Sequence, residues 1–352
     1  MSQLYEESIF ISIGHREFQI PRDILTDAGN SPNYFSLGFG ALFSSKDEVF
    51  PGIDREGLLR PPSLLPPSVP NRSADTFAEL LRLLQGYPVN IRNETHRQDL
   101  LRDARYFHFK GLEQRLIPHH ISYNPIRGID EITIRLENIQ KSGVSINHSI
   151  DTDDSDAPTG TVNYARPYVD ERPAQLILEI ACQTTRLHFT PEGPRVEFFR
   201  DTRTRFTKLL EVIATKLGMP PTTQPLGLLM ASGGADSKVA TPGTTPLSDE
   251  DFVKATISSE TAVTLNGEDY DTSQIQNSES PDGVNDKSRK RRRTDGAENS
   301  PTSWIIDAGQ WRLSIQKAAG GNSAVECVLQ AVQINALTCE SGRNRRRGFL
   351  GQ

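Results

Sequence analysis

Between Ala231 and Pro301 the chain nearly runs out of groups that a core can use. Gly, Ser, Thr, Asp and Asn dominate, aromatic residues almost vanish, and the basic run KSRKRRRTD sits inside. Ordering such a segment costs conformational entropy that its sparse apolar surface cannot offset. Residues 231–301 are therefore expected to form a disordered insertion. Folded structure must come from the flanking segments, and 352 residues leave room for two domains.

Ahead of the insertion, FISIGHREFQIPRDIL reads as two short strands, 10–13 and 17–20, joined by Gly14-His15-Arg16. Pro21 suits the first turn of a short helix ending at Leu25, and Ser31-Pro32 repeats that start signal for 33–37. Residues 49–54 offer another brief strand, after which the prolines of RPPSLLPPSVP forbid regular helix or central strand. From Ser73, a good N-cap, Phe77, Leu80, Leu81 and Leu84 fall at helical spacing up to Gly86. Two more helices fit 94–106 and 111–117, the second closed by Pro118. Residues 8–120 thus predict a small α+β domain with Phe18, Phe77, Leu80, Leu84 and Phe107 in one core.

Residues 121–160, with the acidic stretch HSIDTDDSDAPTG, are expected to be a linker. A second α+β domain is expected from 161–230 and 302–342. Leu176, Leu178, Ile180 and Cys182 alternate as in a half-buried strand, and 196–199 offers another. Phe206, Leu209, Leu210, Ile213 and Leu217 define a helix ending at Gly218, with Thr204 as its cap. Beyond the insertion, SWIIDAGQWRLSIQ shows two alternating apolar runs about Asp307-Ala308-Gly309, the pattern of a hairpin. AVECVLQAVQINALT fits a strand or a helix, and periodicity does not decide between them. Deleting 235–298 is expected to leave the thermal transition within a few degrees of the intact chain.

The net charge of -6 gives no overall attraction to nucleic acid or anionic membrane. Cys182, Cys327 and Cys339 are scattered and odd in number, which favours buried thiols in a reducing compartment over a disulfide framework. The opening MSQLYEESIFISIG lacks a basic start and a long apolar core, and no run approaches the ~18 apolar residues of a membrane span. A soluble, cytoplasmic protein is expected. Fragments that imitate active sites fail on their chemistry. DTDDSD resembles the Asp-x-Asp start of a phosphatase, but a polar stretch precedes it where a buried strand is needed. As a calcium loop it has Asp156 in place of glycine and Val162 in place of the bidentate glutamate. ASGGADSK lacks the spacing of a phosphate loop, and His119-His120 have no further ligand nearby, so an exposed helix end is expected there. No catalytic, metal or cofactor site is expected, and the protein is not expected to be an enzyme.

FISIGHREFQIPRDIL, NYFSLGF, VFPGIDREG, ADTFAELLRLLQGYPV and LLRDARYFHFKGLEQRL follow, in order, the blocks of the BTB/POZ fold. They resemble most closely its potassium-channel tetramerisation type. Gly14-His15 stands for the family's Gly-Gly, Ile53-Asp54-Arg55-Glu56 for its strand end, and Tyr106-Phe107 for its last aromatic pair. The insertion 58–70, a missing zinc cluster and the lack of following membrane helices set the chain apart from channel subunits. With its long insertion, the whole chain resembles the fungal Whi-type general stress response proteins. That resemblance implies a non-catalytic adaptor, oligomerising or docking through its BTB/POZ domain. It also implies activation of a plasma-membrane phosphatase of the haloacid dehalogenase type and damping of nutrient-driven growth signalling. The expected fold class is therefore α+β: a BTB/POZ domain, then a second α+β domain interrupted by the disordered insertion.

Two alternatives stand beside the adaptor. A substrate receptor for a cullin-based ubiquitin ligase would use residues 160–340 as its substrate domain. A nuclear regulator would use Lys287, Arg289, Lys290, Arg291, Arg292 and Arg293 as an import signal. Thr294, preceded by Arg291 and Arg292, suits a basic-directed kinase, and Ser280 and Ser300, each before proline, suit proline-directed ones. A phosphate there adds about -1.5 to -2 charge and would weaken the run's attraction for an acidic receptor. Nucleic-acid binding is not expected, because no folded groove-reading element accompanies the charges.

Overall fold

Gly14 takes φ +60°, which disfavours a residue with a Cβ, and lets β1 (Ser8–Ile13) fold back antiparallel onto β2 (Arg16–Pro21). The computed structural model describes residues 8–38, 68–148, 160–219, 228–230, 252–276, 303–317 and 324–338. The chain divides into one unit of Met1–Ile117 with Arg166–Glu171 and another of Pro118–Ala165 with Arg172–Gln352.

In the first unit, Ile9, Ile11 and Ile13 point inward from β1, and Phe18 and Ile20 from β2. Two short helices follow, α1 (Arg22–Thr26) and α2 (Tyr34–Gly38). Asn33, rather than Ser31-Pro32, starts α2: its buried Oδ1 accepts from the backbone N–H of Phe35 and Ser36, both at 3.0 Å. The short β3 (Ser68–Val69) pairs parallel with β1 and leads into α3 (Ala74–Leu84), α4 (Glu94–Tyr106) and α5 (Lys110–Leu116). Ser73 and Asn93 cap α3 and α4 by accepting from Thr76 N–H at 3.2 Å and His96 N–H at 2.8 Å.

The core of this unit is aromatic. Phe77 meets Phe18 at 5.0 Å and Phe107 at 4.9 Å, both edge-on, and Phe35 stacks on Phe107 at 5.4 Å. Leu80 is fully buried beside them, whereas Leu84 is only half-buried. Asp103, 1% exposed, is paired with Arg72 at 3.2 Å, and the Arg72 guanidinium lies 3.8 Å from the Tyr106 ring centre.

The second unit begins with β4 (His119–Asn124), β5 (Ile129–Arg135) and β6 (Val144–His148), separated after β5 by two 3-10 turns. Then come β7 (Gly160–Tyr164), the 17-residue β8 (Ala174–Thr190), β9 (Gly193–Phe198) and α6 (Arg200–Lys216). β10 (Leu228–Met230), β11 (Val253–Thr256), β12 (Ala262–Leu265), β13 (Glu268–Asp269) and a short α7 (Ser273–Gln276) precede two 15-residue strands. These are β14 (Ser303–Lys317) and β15 (Ala324–Thr338). β15, β11, β9, β8 and β14 pair in turn, and β14 pairs back to β15, closing a ring within a 12-stranded sheet. Direct cross-strand partners share a face, and the inward face is apolar: Leu187 opposite Val196 and Trp304, Val253 opposite Val196, Ala255 opposite Leu329, Leu313 opposite Leu329.

This architecture overturns the expected α+β class. Strands dominate the described residues, and the second unit is a sheet containing a closed β-barrel, with one long helix among its described residues, rather than a BTB/POZ-plus-α+β arrangement. Several local expectations fail with it. Residues 119–148, mostly assigned to a linker, form β4 to β6, so His119-His120 begin a strand rather than end a helix. The segment expected to be disordered contributes β11, β12 and β13 to the sheet; residues 231–251 and 277–301 lie outside the described residues. The supposed hairpin at 303–316 is one continuous strand, and Asp307-Ala308-Gly309 marks an irregularity in its register rather than a turn. Thr204 does not cap α6; its hydroxyl turns back to the Arg200 carbonyl at 3.5 Å. The brief strand expected at 49–54 lies outside the described residues.

Closure by β11 makes a prediction opposite to the expectation from composition. Replacing residues 252–276 by a Gly/Ser linker of equal length removes buried Val253, Val263 and Ile275, roughly 1.5–3 kcal/mol each, and uncovers the edges of β9 and β15. The melting temperature should fall by roughly 10 °C or more. A calorimetric transition within a few degrees of the intact chain would show that the ring does not need this strand.

Candidate docking groove

α6 buries Phe206, Leu209, Leu210, Ile213 and Ala214, a stripe at helical spacing, and Phe198 at the end of β9 meets Phe206 at 4.5 Å. Facing the helix are the turns between β5 and β6. The second of these passes close to the chain leaving β7: a Cβ on Gly143 would lie 2.2 Å from the Ala165 carbonyl oxygen, so only glycine fits. Ala165 N–H in turn donates to the Gly143 carbonyl at 2.9 Å.

Between helix and turns lies a cavity of about 460 Å³. Leu136, Ile139, Val144, Leu209 and Val212 supply its apolar walls. Lys141, Arg205 and Lys208 stand at the rim, exposed, with Glu137, Asp201 and Thr204. Arg205 Nη1 donates to the Glu137 carbonyl at 3.4 Å, tying the helix to the first turn. Three cations against two carboxylates give the mouth a modest positive bias. The arrangement suits an apolar side chain flanked by acidic groups.

A second cavity, about 620 Å³, is lined by Gln183, Thr184, Arg186, Phe199, Arg200 and Ile305. It opens beside the first turn of the same helix.

The residues singled out from sequence are placed unevenly. Phe18, Phe77, Leu80 and Phe107 come together in the first unit, with Leu84 at the edge of burial. Lys287, Arg289, Lys290, Arg291, Arg292, Arg293, Ser280, Thr294 and Ser300 lie outside the described residues, as do the DTDDSD and ASGGADSK fragments. Among the described residues no group of three or more His, Cys, Asp or Glu could hold a metal ion, and no helix is long and apolar enough to cross a membrane. The groove itself was missed. Its helical wall was legible, but Leu136, Ile139 and Val144 fell in a supposed linker, and no local period joins them to α6.

Over 136 residues, 39% of this chain, the sequence is 38% identical to the "Uncharacterized protein YDR132C" of Saccharomyces cerevisiae. Over 137 residues it is 32% identical to the "BTB/POZ domain-containing protein YLR108C" of the same yeast. Part of the chain is thus similar to a fungal BTB/POZ domain-containing protein. The matched segments span 26% and 27% of these relatives' lengths. Neither relative's name mentions stress response or a phosphatase. No protein-family model matches the chain, and no solved structure does.

Cys327, on β15, is fully buried, and burial with the adjacent Glu326 charge pushes its thiol up to about 12. At pH 8 the thiolate is then on the order of one part in ten thousand. Iodoacetamide treatment of the native protein, mapped by peptide mass spectrometry, should leave Cys327 unmodified until the chain is unfolded. Rapid native alkylation would contradict this burial.

Proposed function

We propose that this protein is a non-catalytic protein-interaction adaptor whose α6 groove receives an apolar, acid-flanked segment of a partner protein. The observation that carries this reading is the groove itself, with its apolar walls and cationic rim. Similarity to a BTB/POZ domain-containing yeast protein supports an interaction role and self-association. The finer assignment of the partner as a phosphatase of the haloacid dehalogenase type rests on the Whi-type resemblance alone.

Arg205 and Lys208 are exposed, and the Arg205 bond to the Glu137 carbonyl is long and at the surface, so changing them tests docking without disturbing the core. Arg205→Glu/Lys208→Glu should leave the melting temperature nearly unchanged while reducing, by roughly tenfold or more, the recovery of a specific partner in quantitative affinity purification. A purified acidic segment of that partner should bind the native protein directly and the variant weakly. An identical partner set for both proteins would contradict the reading. A phosphatase among the groove-dependent partners would support the finer assignment.

A further inference from the structure

The 620 Å³ cavity beside α6 differs in chemistry from the groove. Its walls present two guanidinium groups, Arg186 and Arg200, together with the Gln183 amide and the Thr184 hydroxyl, and no carboxylate. Among the described residues neither arginine has an ion-pair partner. Other arginines of this unit do: Arg135 pairs with Glu179, Arg195 with Glu192 and Arg312 with Glu131. The nearby Asp307 carboxylate accepts from Gln183 at 3.4 Å. The Arg186 guanidinium lies 5.2 Å over the Phe199 ring, which restricts its motion and leaves its N–H edge available. Thr184 and Thr202 hydroxyls are 2.8 Å apart at the same place, so the wall is polar as well as cationic.

Two planar guanidinium forks lining one cavity with neutral polar groups match a dianion with three acceptor oxygens better than a single carboxylate, which one arginine satisfies. Arg200 lines this cavity, and the next residue, Asp201, lines the groove. The two openings therefore meet at the first turn of one helix. We infer that this cavity binds a phosphate monoester, carried as phosphoserine or phosphothreonine on the partner segment that the groove receives. This inference rests on the docking role assigned to the groove. It gives the adaptor a switchable input: the partner docks tightly only after a kinase has acted on it.

The test uses the full chain with Lys290 to Arg293 replaced by Ala, so that the basic run cannot compete for phosphate. Inorganic phosphate, titrated against arginine-labelled protein, should shift the Nε–H resonances of Arg186 and Arg200 saturably. Arg186→Gln/Arg200→Asn should abolish binding; asparagine is chosen because Arg200 sits at φ +53°, which asparagine tolerates. A degenerate peptide library with a fixed phosphoserine should be retained at least tenfold better than its unphosphorylated counterpart, and the arginine variant should erase that difference. No shift at either arginine would overturn the inference. Phosphate shifts without preferential retention of the phosphorylated library would overturn the peptide source and point to a free phosphate compound. Arg205→Glu/Lys208→Glu separates the two claims. If retention depends on these rim residues but not on phosphate, docking stands and the inference fails. If phosphate shifts persist while retention ignores the rim residues, the docking role fails, and with it the link to a partner peptide.

Discussion

Four residues, Val253 to Thr256, complete the second unit. β11 pairs antiparallel with β9 through Val253 and Lys254 and parallel with β15 through Ala255 and Thr256. Each neighbour would otherwise present an edge of unpaired backbone groups over this stretch, a site for non-native pairing. Val253 and Ala255 also fill the ring's interior against Val196 and Leu329. β9 is thereby held between β8 and β11, and α6 leaves directly from its end. The groove and the arginine-lined cavity are both built on that helix, so the candidate sites depend on the ring staying closed.

What was legible in the sequence was local. Gly14 between two alternating runs fixed the first hairpin, Ser73 the start of α3, and Gly218 the end of α6, because each acts through a backbone preference that needs no distant partner. The long strands were harder. Asp307-Ala308-Gly309 carries the residues of a turn, yet β14 runs straight through, since a β-bulge and a hairpin turn draw on the same permissive residues. β15 has an apolar composition compatible with helix or strand, and only its pairing along β14 decides.

β11 and the turns after β5 were hidden for a different reason. Average composition over 231–301 is too polar for a core, but VKAT needs only two inward side chains when β9 and β15 already supply the walls. Likewise, the acidic stretch at 151–156 has the composition of a linker, whereas upstream of it Ile132, Ile134 and Leu136 alternate within ITIRLEN and are buried. The groove inherits this blindness. Its helical wall comes from one periodic segment, and its opposing wall from turns whose value exists only once the sheet is assembled. Of function, only the similarity of part of the chain to a fungal BTB/POZ domain-containing protein was legible.

Amide hydrogen exchange on the intact chain tests the central claim most directly. If β11 closes the ring, peptides covering 252–257 should exchange as slowly as those covering 193–198 in β9, because their backbone groups pair with one another. Complete exchange of 252–257 within seconds, while β9 and β15 stay protected, would contradict the closed ring and the support it gives to α6.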